Sequence, residues 1–314
     1  MDRRRPLATT VSVCLSALAL AGAAPLDITV IHAARWLSPS ADVAQALGSR
    51  PTECLKATND AEQSYAIEVG RAAFRTPLTL GGQAARVGLS CDSCHESGRS
   101  NADFYFPGVS GGPGTASRAT LLSSHPTIGI DHPKLIPDLT QPKDRLKVDQ
   151  DVATHALEPF LHGLVTGEFN GAEPPPEVLA GLSAYVRALS PAACPAASRE
   201  PLHAEDYVES ARRVVRTAIL GLDHNDPAVA AFLVEAARGE LGMIYERYDQ
   251  SNADETRAAL HAADLELAAA AEAIRAGSPH ARERLVVWLV KSPAWSAVVT
   301  RQEGQSLFNV ARLR

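Results

Sequence analysis

The sequence predicts a mainly α-helical chain in two parts: an irregular, loop-rich first part and an all-helical second part. Apolar residues recur at helical spacing in a few segments before residue 190 and in nearly every segment after residue 200. Glycine and proline concentrate in the first part, and a composition rich in Ala, Glu and Arg begins near residue 190. We therefore place a boundary at 190–195, with a first domain at 24–195, whose core covers about 60–190, and a helical domain at 196–314.

Helices of the first part are predicted from their periodicity and their end signals. Three segments have this pattern: 60–74, 151–169 and 175–189. Asn59 or Asp60 is expected to cap the first helix, which should end near Pro77. A run of three prolines precedes the last helix, and proline is well tolerated at a helix start because its missing N–H has no partner there anyway. A glycine-rich stretch at 98–147 lies between the first two helices. It predicts a long irregular loop, and a loop of this length usually has a function or encloses a bound group.

The second part has four apolar stripes at helical spacing, separated by polar breaks at 223–227, 250–252 and 277–279. Short polar connections between helices favour antiparallel neighbours. We expect a four-helix bundle or a helical cap packed on the first domain. No catalytic motif is present in this part, and histidines such as His261 and His280 are expected on solvated faces.

The amino terminus has the organisation of a secretory signal. Three arginines at 3–5 precede an apolar run at 7–20, and Ala21-Gly22-Ala23 resembles a signal-peptidase site. The apolar run is shorter than the roughly 20 residues that span a bilayer. The sequence therefore predicts a cleaved signal peptide at 1–23, no membrane span, and a periplasmic or secreted location.

The most informative motif is C-x-x-C-H at 91–95. Cys91 and Cys94 are three residues apart, so one helical turn presents both thiols on one face, where each can form a thioether with a haem vinyl group. His95 follows directly and can donate an imidazole nitrogen to the iron. The motif predicts one covalently attached haem c with His95 as the proximal ligand.

Two other chemistries use a C-x-x-C pair. A thioredoxin-like dithiol is expected at the start of a helix within a βαβ unit, whereas a glycine-containing polar loop precedes Cys91. A zinc site needs a second cysteine or histidine pair at the proper spacing, and the other cysteines, Cys14, Cys54 and Cys194, stand alone. The haem interpretation is favoured over both.

Cys54 and Cys194 remain after export and haem attachment, in a compartment where disulfides form. A bond between them would close a loop of more than 100 residues around the haem motif, worth about 4 to 5 kcal/mol in the chain-entropy description. We predict this disulfide, with two buried free thiols as the alternative.

The haem motif and its surroundings resemble a known family. The matching segments are VGRAAFRTPL at 69–78, LSCDSCHESGR at 89–99, GTASRATLL at 114–122, EFNG at 168–171, and the helix at 178–190. They are similar to the amino-terminal haem domain of the bacterial di-haem cytochrome c peroxidase and MauG-like family, so the similarity covers about 65–190. The resemblance implies a cytochrome c-like haem domain. That family has two C-x-x-C-H motifs and this chain has one, so an internal electron relay between haems is not expected.

The second axial ligand decides what the iron does, because a methionine, a histidine or an open position gives different chemistry. Met243, the only methionine after the signal, is expected to be core filler in the helical domain. His125 and His132 each precede a proline, which favours extended backbone and suits a ligand arm. A weaker pair, His155 and His162, is seven residues apart and is predicted to share a helix face.

Two functions are compatible with a single covalent haem. The net charge of −6 does not indicate a nucleic-acid partner. Electron transfer with a redox protein or a small donor or acceptor needs only the tether and one axial ligand, and it is favoured. The alternative is a peroxidase-like or ligand-sensing haem protein with an open sixth position, in which Glu96, His125 or Arg118 assists. Arg99 and Arg118 are candidate partners of the haem propionates.

Overall fold

The computed structural model describes residues 31–117, 122, 132–141, 146–194, 198–248 and 253–313, and it is mainly helical. The predicted signal peptide, His125 and Arg118 lie outside these residues, as do residues 195–197 at the predicted domain boundary. Among the described residues, none of the helices combines the length and the apolar character required to cross a membrane.

Short elements alternate with loops up to residue 201, and long helices follow. The first set is α1 Val43–Gly48, β1 Ser49–Pro51, α2 Ala61–Arg75, α3 Gly82–Arg86, α4 Cys91–Cys94, β2 Thr115–Ala116, β3 Lys134–Leu135, α5 Leu157–His162, α6 Pro176–Ala188 and β4 Arg199–Pro201. The second set is α7 Ala204–Asp223, α8 Pro227–Tyr245, α9 Asp254–Arg275 and α10 Ala281–Arg301. Antiparallel pairs form between β1 and β4 and between β2 and β3.

The first predicted helix is confirmed with its cap. Asp60 accepts hydrogen bonds from the backbone N–H groups of Glu62 and Gln63, which have no partner inside the helix. Helix α2 ends at Arg75, and Thr76 adopts extended backbone ahead of Pro77, as expected of a residue before proline.

Helices α2 and α6 cross at two glycines. A Cβ atom on Gly70 would lie 1.8 Å from the carbonyl oxygen of Gly181, and one on Gly181 would lie 2.8 Å from the nitrogen of Gly70. The two backbones therefore touch, which no larger residue permits. This close crossing fixes how the two ends of the loop-rich part meet.

The prediction of one helix over 151–169 is wrong. A 3₁₀ turn at Val152–Thr154 ends at His155, whose φ of 49° is left-handed, and α5 begins only at Leu157. Pro159 explains the break, because in a longer helix its ring would clash with the carbonyl four residues earlier. His155 and His162 therefore do not share a helix face. A π-helical turn at Gly163–Glu168 follows α5.

The predicted helical bundle is confirmed. Helices α7 to α10 pack in sequence order, and α10 also packs against α7, so the four form a closed antiparallel bundle. Trp288 of α10 is buried and donates from Nε1 to the carbonyl oxygen of Ala263 in α9, at 3.0 Å. The apolar core of the bundle is continuous with α2 and α6, and α2 contacts both α7 and α8. A second, smaller apolar cluster lies beside α4.

Candidate haem-binding site

The C-x-x-C-H motif forms one short helix, α4, with its own cap. The Ser93 hydroxyl accepts a hydrogen bond from the backbone N–H of Ser90 at 3.0 Å, completing a capping box. The N–H of His95 donates to the carbonyl oxygen of Cys91 at 2.9 Å, which closes the turn. Because Cys91 and Cys94 are separated by three helical positions, they lie on the same face of α4.

Both cysteines pack against the second apolar cluster, which we call the motif cluster. Its buried members are Leu80, Ala84, Leu89, Phe104, Phe106, Val109, Leu122 and Ile136. Trp36 is partly buried against this cluster and stacks on Phe106, with ring centroids 4.4 Å apart. An apolar surface of this kind beside two half-buried thiols is suited to a flat, largely apolar group attached through sulfur.

His95 is held in the orientation that a metal ligand needs. Its Nδ1 lies 2.9 Å from the carbonyl oxygen of Pro137. Because a carbonyl can only accept, Nδ1 carries the proton, and the lone pair of the neutral ring is on Nε2. Metal-binding histidines are commonly fixed by this kind of bond from the nitrogen that does not bind the metal.

The carbonyl of Pro137 is itself held in place by polar contacts. Asp138 accepts a hydrogen bond from Arg99 Nε at 2.7 Å and two from Thr140, one from its N–H and one from its hydroxyl, at 2.9 and 2.6 Å. The backbone N–H of Leu139 donates to the carbonyl oxygen of Gly98 at 2.9 Å. Arg99, predicted as a propionate partner, therefore positions the segment that orients His95.

A tight turn follows His95. Ser97 has a φ of 53°, and its N–H donates to the Asp92 carboxylate at 2.8 Å, which ties the turn back to α4. Gly98 has a φ of 79°, and a Cβ atom there would lie 2.6 Å from the Leu189 side chain. The left-handed backbone favours glycine at this position, which packs against Leu189.

Burial controls the protonation of the motif. It raises the pKa of the Cys91 and Cys94 thiols to about 12 and lowers the pKa of His95 to about 4. At neutral pH the thiols are protonated and the imidazole is neutral, which is the form that binds a metal. A thioredoxin-like dithiol requires a lowered thiol pKa, so the environment disfavours that alternative. Within the described ranges, no group of three or more His, Cys, Asp or Glu side chains is placed to hold a metal ion.

None of the described candidates for the second axial ligand is among the residues of the motif cluster. His132 is exposed just before β3, and His155 is also exposed. His162 bonds through Nε2 to Glu173 at 2.9 Å. Met243 is half-buried on α8 and lines a cavity, so the prediction that it is core filler is wrong.

A disulfide links the beginning and the end of the loop-rich part. Cys54 and Cys194 lie at bonding distance, with Cα atoms 5.3 Å apart and a sequence separation of 140. The carbonyl of Cys54 also accepts a hydrogen bond from the N–H of Ser190 at 2.9 Å. The chain before α2 is therefore joined to the chain after α6.

A cavity of about 490 Å³ lies on another side of α4, and sequence reasoning missed it. Asp92, Ser93 and Glu96 line it, whereas Cys91, Cys94 and His95 do not. Burial raises the pKa of Glu96 to about 7, although its ion pair with Arg199, at 3.1 Å, opposes this shift. Glu96, predicted as an acid or base in peroxide chemistry, thus faces this cavity and pairs with a cation.

Comparison with known proteins returns no match among family models, curated proteins or solved structures. The candidate site therefore stands on its own geometry. Its defining features are two thiols on one helix face, an apolar cluster beside them and an imidazole oriented by Pro137.

Proposed function

We propose that this chain is an exported c-type cytochrome that binds one haem covalently and transfers single electrons. Cys91 and Cys94 would hold the porphyrin, and His95 would bind the iron through Nε2. The observation that supports this best is the hydrogen bond from His95 Nδ1 to the Pro137 carbonyl, because it leaves Nε2 as the nitrogen with a lone pair.

The residues around the motif fit the cofactor. When bound, haem supplies reversible one-electron exchange at iron. The motif cluster would cover its apolar faces and exclude water, a factor that tunes the potential. Asp138 and Arg99 would keep the Pro137 carbonyl in place and so keep the imidazole oriented. The electron partner would be a redox protein or a small donor or acceptor.

Export is supported by the disulfide. Bonds such as Cys54–Cys194 persist mainly outside the reducing cytosol. The signal-like residues 1–23 agree with this location. The glycine crossing of α2 and α6 brings the two ends of the loop-rich part together, consistent with the compact domain that the family resemblance implies.

Haem attachment is tested by producing the protein in a host with a working cytochrome assembly system. The purified protein should be coloured, and the pigment should stay with the polypeptide in acidic acetone. A Cys91→Ala/Cys94→Ala variant should lose the pigment to acetone, whereas the matched Cys54→Ala/Cys194→Ala variant should keep it. A colourless wild-type protein, or pigment that acetone extracts, would refute the proposal.

The alternative, a peroxidase-like or ligand-sensing haem protein, is favoured by one observation. Met243 is the only methionine beyond Met1, and it lines the cavity rather than packing in the motif cluster, so a methionine ligand is not provided there. Visible spectra separate the two functions. Electron transfer predicts a low-spin spectrum that does not change with carbon monoxide or peroxide, and a high-spin spectrum or rapid carbon monoxide binding supports the alternative.

The same spectra locate the sixth ligand. His125→Ala and His132→Ala are the variants to compare, because each histidine precedes a proline in the long loop. Loss of the low-spin signal in one variant identifies that histidine as the ligand. Retention of the signal in both variants rejects both histidines.

A further inference from the structure

Helix α10 has an apolar face on the side that points away from the bundle core. It packs against α7 and α9, and its buried residues recur at helical spacing: Ala281, Leu285, Trp288, Ser292, Ser296 and Val299. At 3.6 residues per turn, the opposite face contains Val287, Val290, Ala294 and Ala297. All four are exposed, and Val290 is 75% exposed. We call these four residues the outer face of α10.

The outer face lies in a stretch of the helix that carries almost no charge. Lys291 is the only charged residue between positions 286 and 297, and its ammonium nitrogen lies 2.7 Å from a carboxylate oxygen of Glu266 on α9. The chain as a whole has a net charge of −6, so two copies repel each other over most of their surface. A contiguous exposed apolar patch commonly marks an interaction site. A strongly charged partner gains no attraction at this patch, whereas a second copy of the chain meets no repulsion there.

The outer face is complementary to itself when two copies of α10 run antiparallel. With the pair centred on position 292 of the sequence, Val290 lies opposite Ala294 of the second copy, and Val287 lies opposite Ala297. A large side chain then meets a small one at each position, which lets the helices approach to the usual packing distance of about 8–10 Å. Two-fold symmetry repeats each of these contacts, as in most homodimers.

The two ends of the outer face carry opposite charges. Glu283 and Arg301 are 18 residues apart, which is five full helical turns, so both lie in line with the outer face. Each is nine residues from position 292, so the antiparallel arrangement brings Glu283 of each copy opposite Arg301 of the other. Their partners within the chain are the exposed residues His280 and Glu255. Exposed pairs of this kind are weak, so both side chains can also bind across the contact.

We propose that α10 is a dimerisation helix, through which two copies of this chain associate antiparallel about a two-fold axis near position 292. Val287 and Val290 would supply the apolar contact. The two Glu283–Arg301 pairs would favour the antiparallel orientation, because a parallel pair would place like charges together at both ends. The surface contains no residue of the haem motif, so this proposal does not depend on haem attachment.

Sedimentation velocity of the purified protein over a range of concentrations tests the proposal. The wild type should show a monomer–dimer equilibrium with a Kd below about 100 µM. Val290→Glu should weaken dimerisation by about tenfold or more and retain the fold, because Val290 is 75% exposed and Glu is a good helix former. Val152→Glu, the same change at a valine that is 62% exposed outside the bundle, is the matched control and should dimerise as the wild type does. A wild type that stays monomeric at about 100 µM, or undiminished dimerisation of Val290→Glu, overturns the proposal.

Charge reversal tests the antiparallel orientation. Glu283→Arg and Arg301→Glu each place like charges together at both ends of the dimer, so each variant alone should dimerise about threefold more weakly or worse. An equimolar mixture of the two variants should recover dimerisation, because opposite charges meet again at both ends of a mixed dimer. No recovery in the mixture overturns the proposal. A monomeric wild type that instead floats with phosphatidylcholine vesicles would assign the outer face to lipid and would also overturn it.

Discussion

The two halves of this chain are stabilised by different kinds of contact. The bundle consists of helices of 19 to 22 residues whose apolar stripes face a common core. The loop-rich half, before residue 201, has helices as short as α4, with four residues, and its irregular backbone is fixed by individual contacts: a disulfide, a glycine crossing and the bonds around Asp138. Distributed packing tolerates single changes, whereas a structure held by few contacts depends on each of them.

Removing the disulfide should have the largest effect. A Cys54→Ala/Cys194→Ala variant frees the ends of a 140-residue segment in the unfolded state, and we expect a loss of about 4 kcal/mol in the free energy of unfolding. Urea denaturation followed by helical circular dichroism measures the loss. Reductant should destabilise the wild type to the same extent and leave the variant unchanged. An equal response of both proteins to reductant would contradict the prediction.

The glycine crossing should be the next most sensitive point. Gly70→Ala places a Cβ atom against the Gly181 backbone, which has no flexible side chain to move aside, and we expect a loss of about 3 kcal/mol. The matched control is Gly239→Ala on α8, where the new methyl group meets open space and should stabilise the helix by up to about 1 kcal/mol. Thermal unfolding of both variants gives the comparison. Similar shifts in the melting temperature of the Gly70→Ala and Gly239→Ala variants would show that the crossing is not tightly packed.

The difference between the halves also explains what the sequence could predict. The four bundle helices follow from periodicity and polar breaks, and α2 follows from its Asp60 cap, because these signals are local. One helix over 151–169 is predicted by a long apolar stripe, but Pro159 inside that stripe interrupts the helix.

The residues of the candidate site also differ in whether a local sequence pattern could predict them. C-x-x-C-H identified Cys91, Cys94 and His95, since their spacing is itself the signal. The Pro137 contact joins residues 42 positions apart, and no local pattern announces it. The cavity is built from still more distant segments, so Glu246 and Arg247, which directly follow α8, carry no local signal of it.

The ion pair at Asp138 should show a smaller, pH-dependent effect. Asp138→Asn removes the charged partner of Arg99, with an expected loss of about 1 kcal/mol at neutral pH. Burial alone would raise the pKa of Asp138, but hydrogen bonds from Thr140 and Arg99 lower it below 3.8. The carboxylate therefore stabilises the fold above pH 3.8, and this contribution is lost as the pH falls through the lower folded-state pKa. The stability gap between wild type and variant should close in acid, as urea titrations at several pH values would show.

The bundle offers a matched pair for Asp138. Asp264 and Arg238 are also 2.7 Å apart, but they join α8 and α9, which pack against each other within the bundle. Asp264→Asn should therefore cost less stability than Asp138→Asn, since nothing in that pair supports His95. A larger loss for Asp264→Asn would reverse the proposed contrast between the halves.

The smallest effect is expected at an exposed ion pair of the bundle. Lys291 on α10 lies 2.7 Å from Glu266 on α9, and both side chains are largely exposed, at 56% and 43%. Ordering two long side chains in water offsets most of their attraction, so Lys291→Gln should change the free energy of unfolding by less than about 0.5 kcal/mol. Added salt should reduce even this difference, because exposed charges are screened. A loss comparable to that of Asp138→Asn would mean that α9 and α10 also depend on single polar contacts, and the bundle would then resemble the loop-rich half.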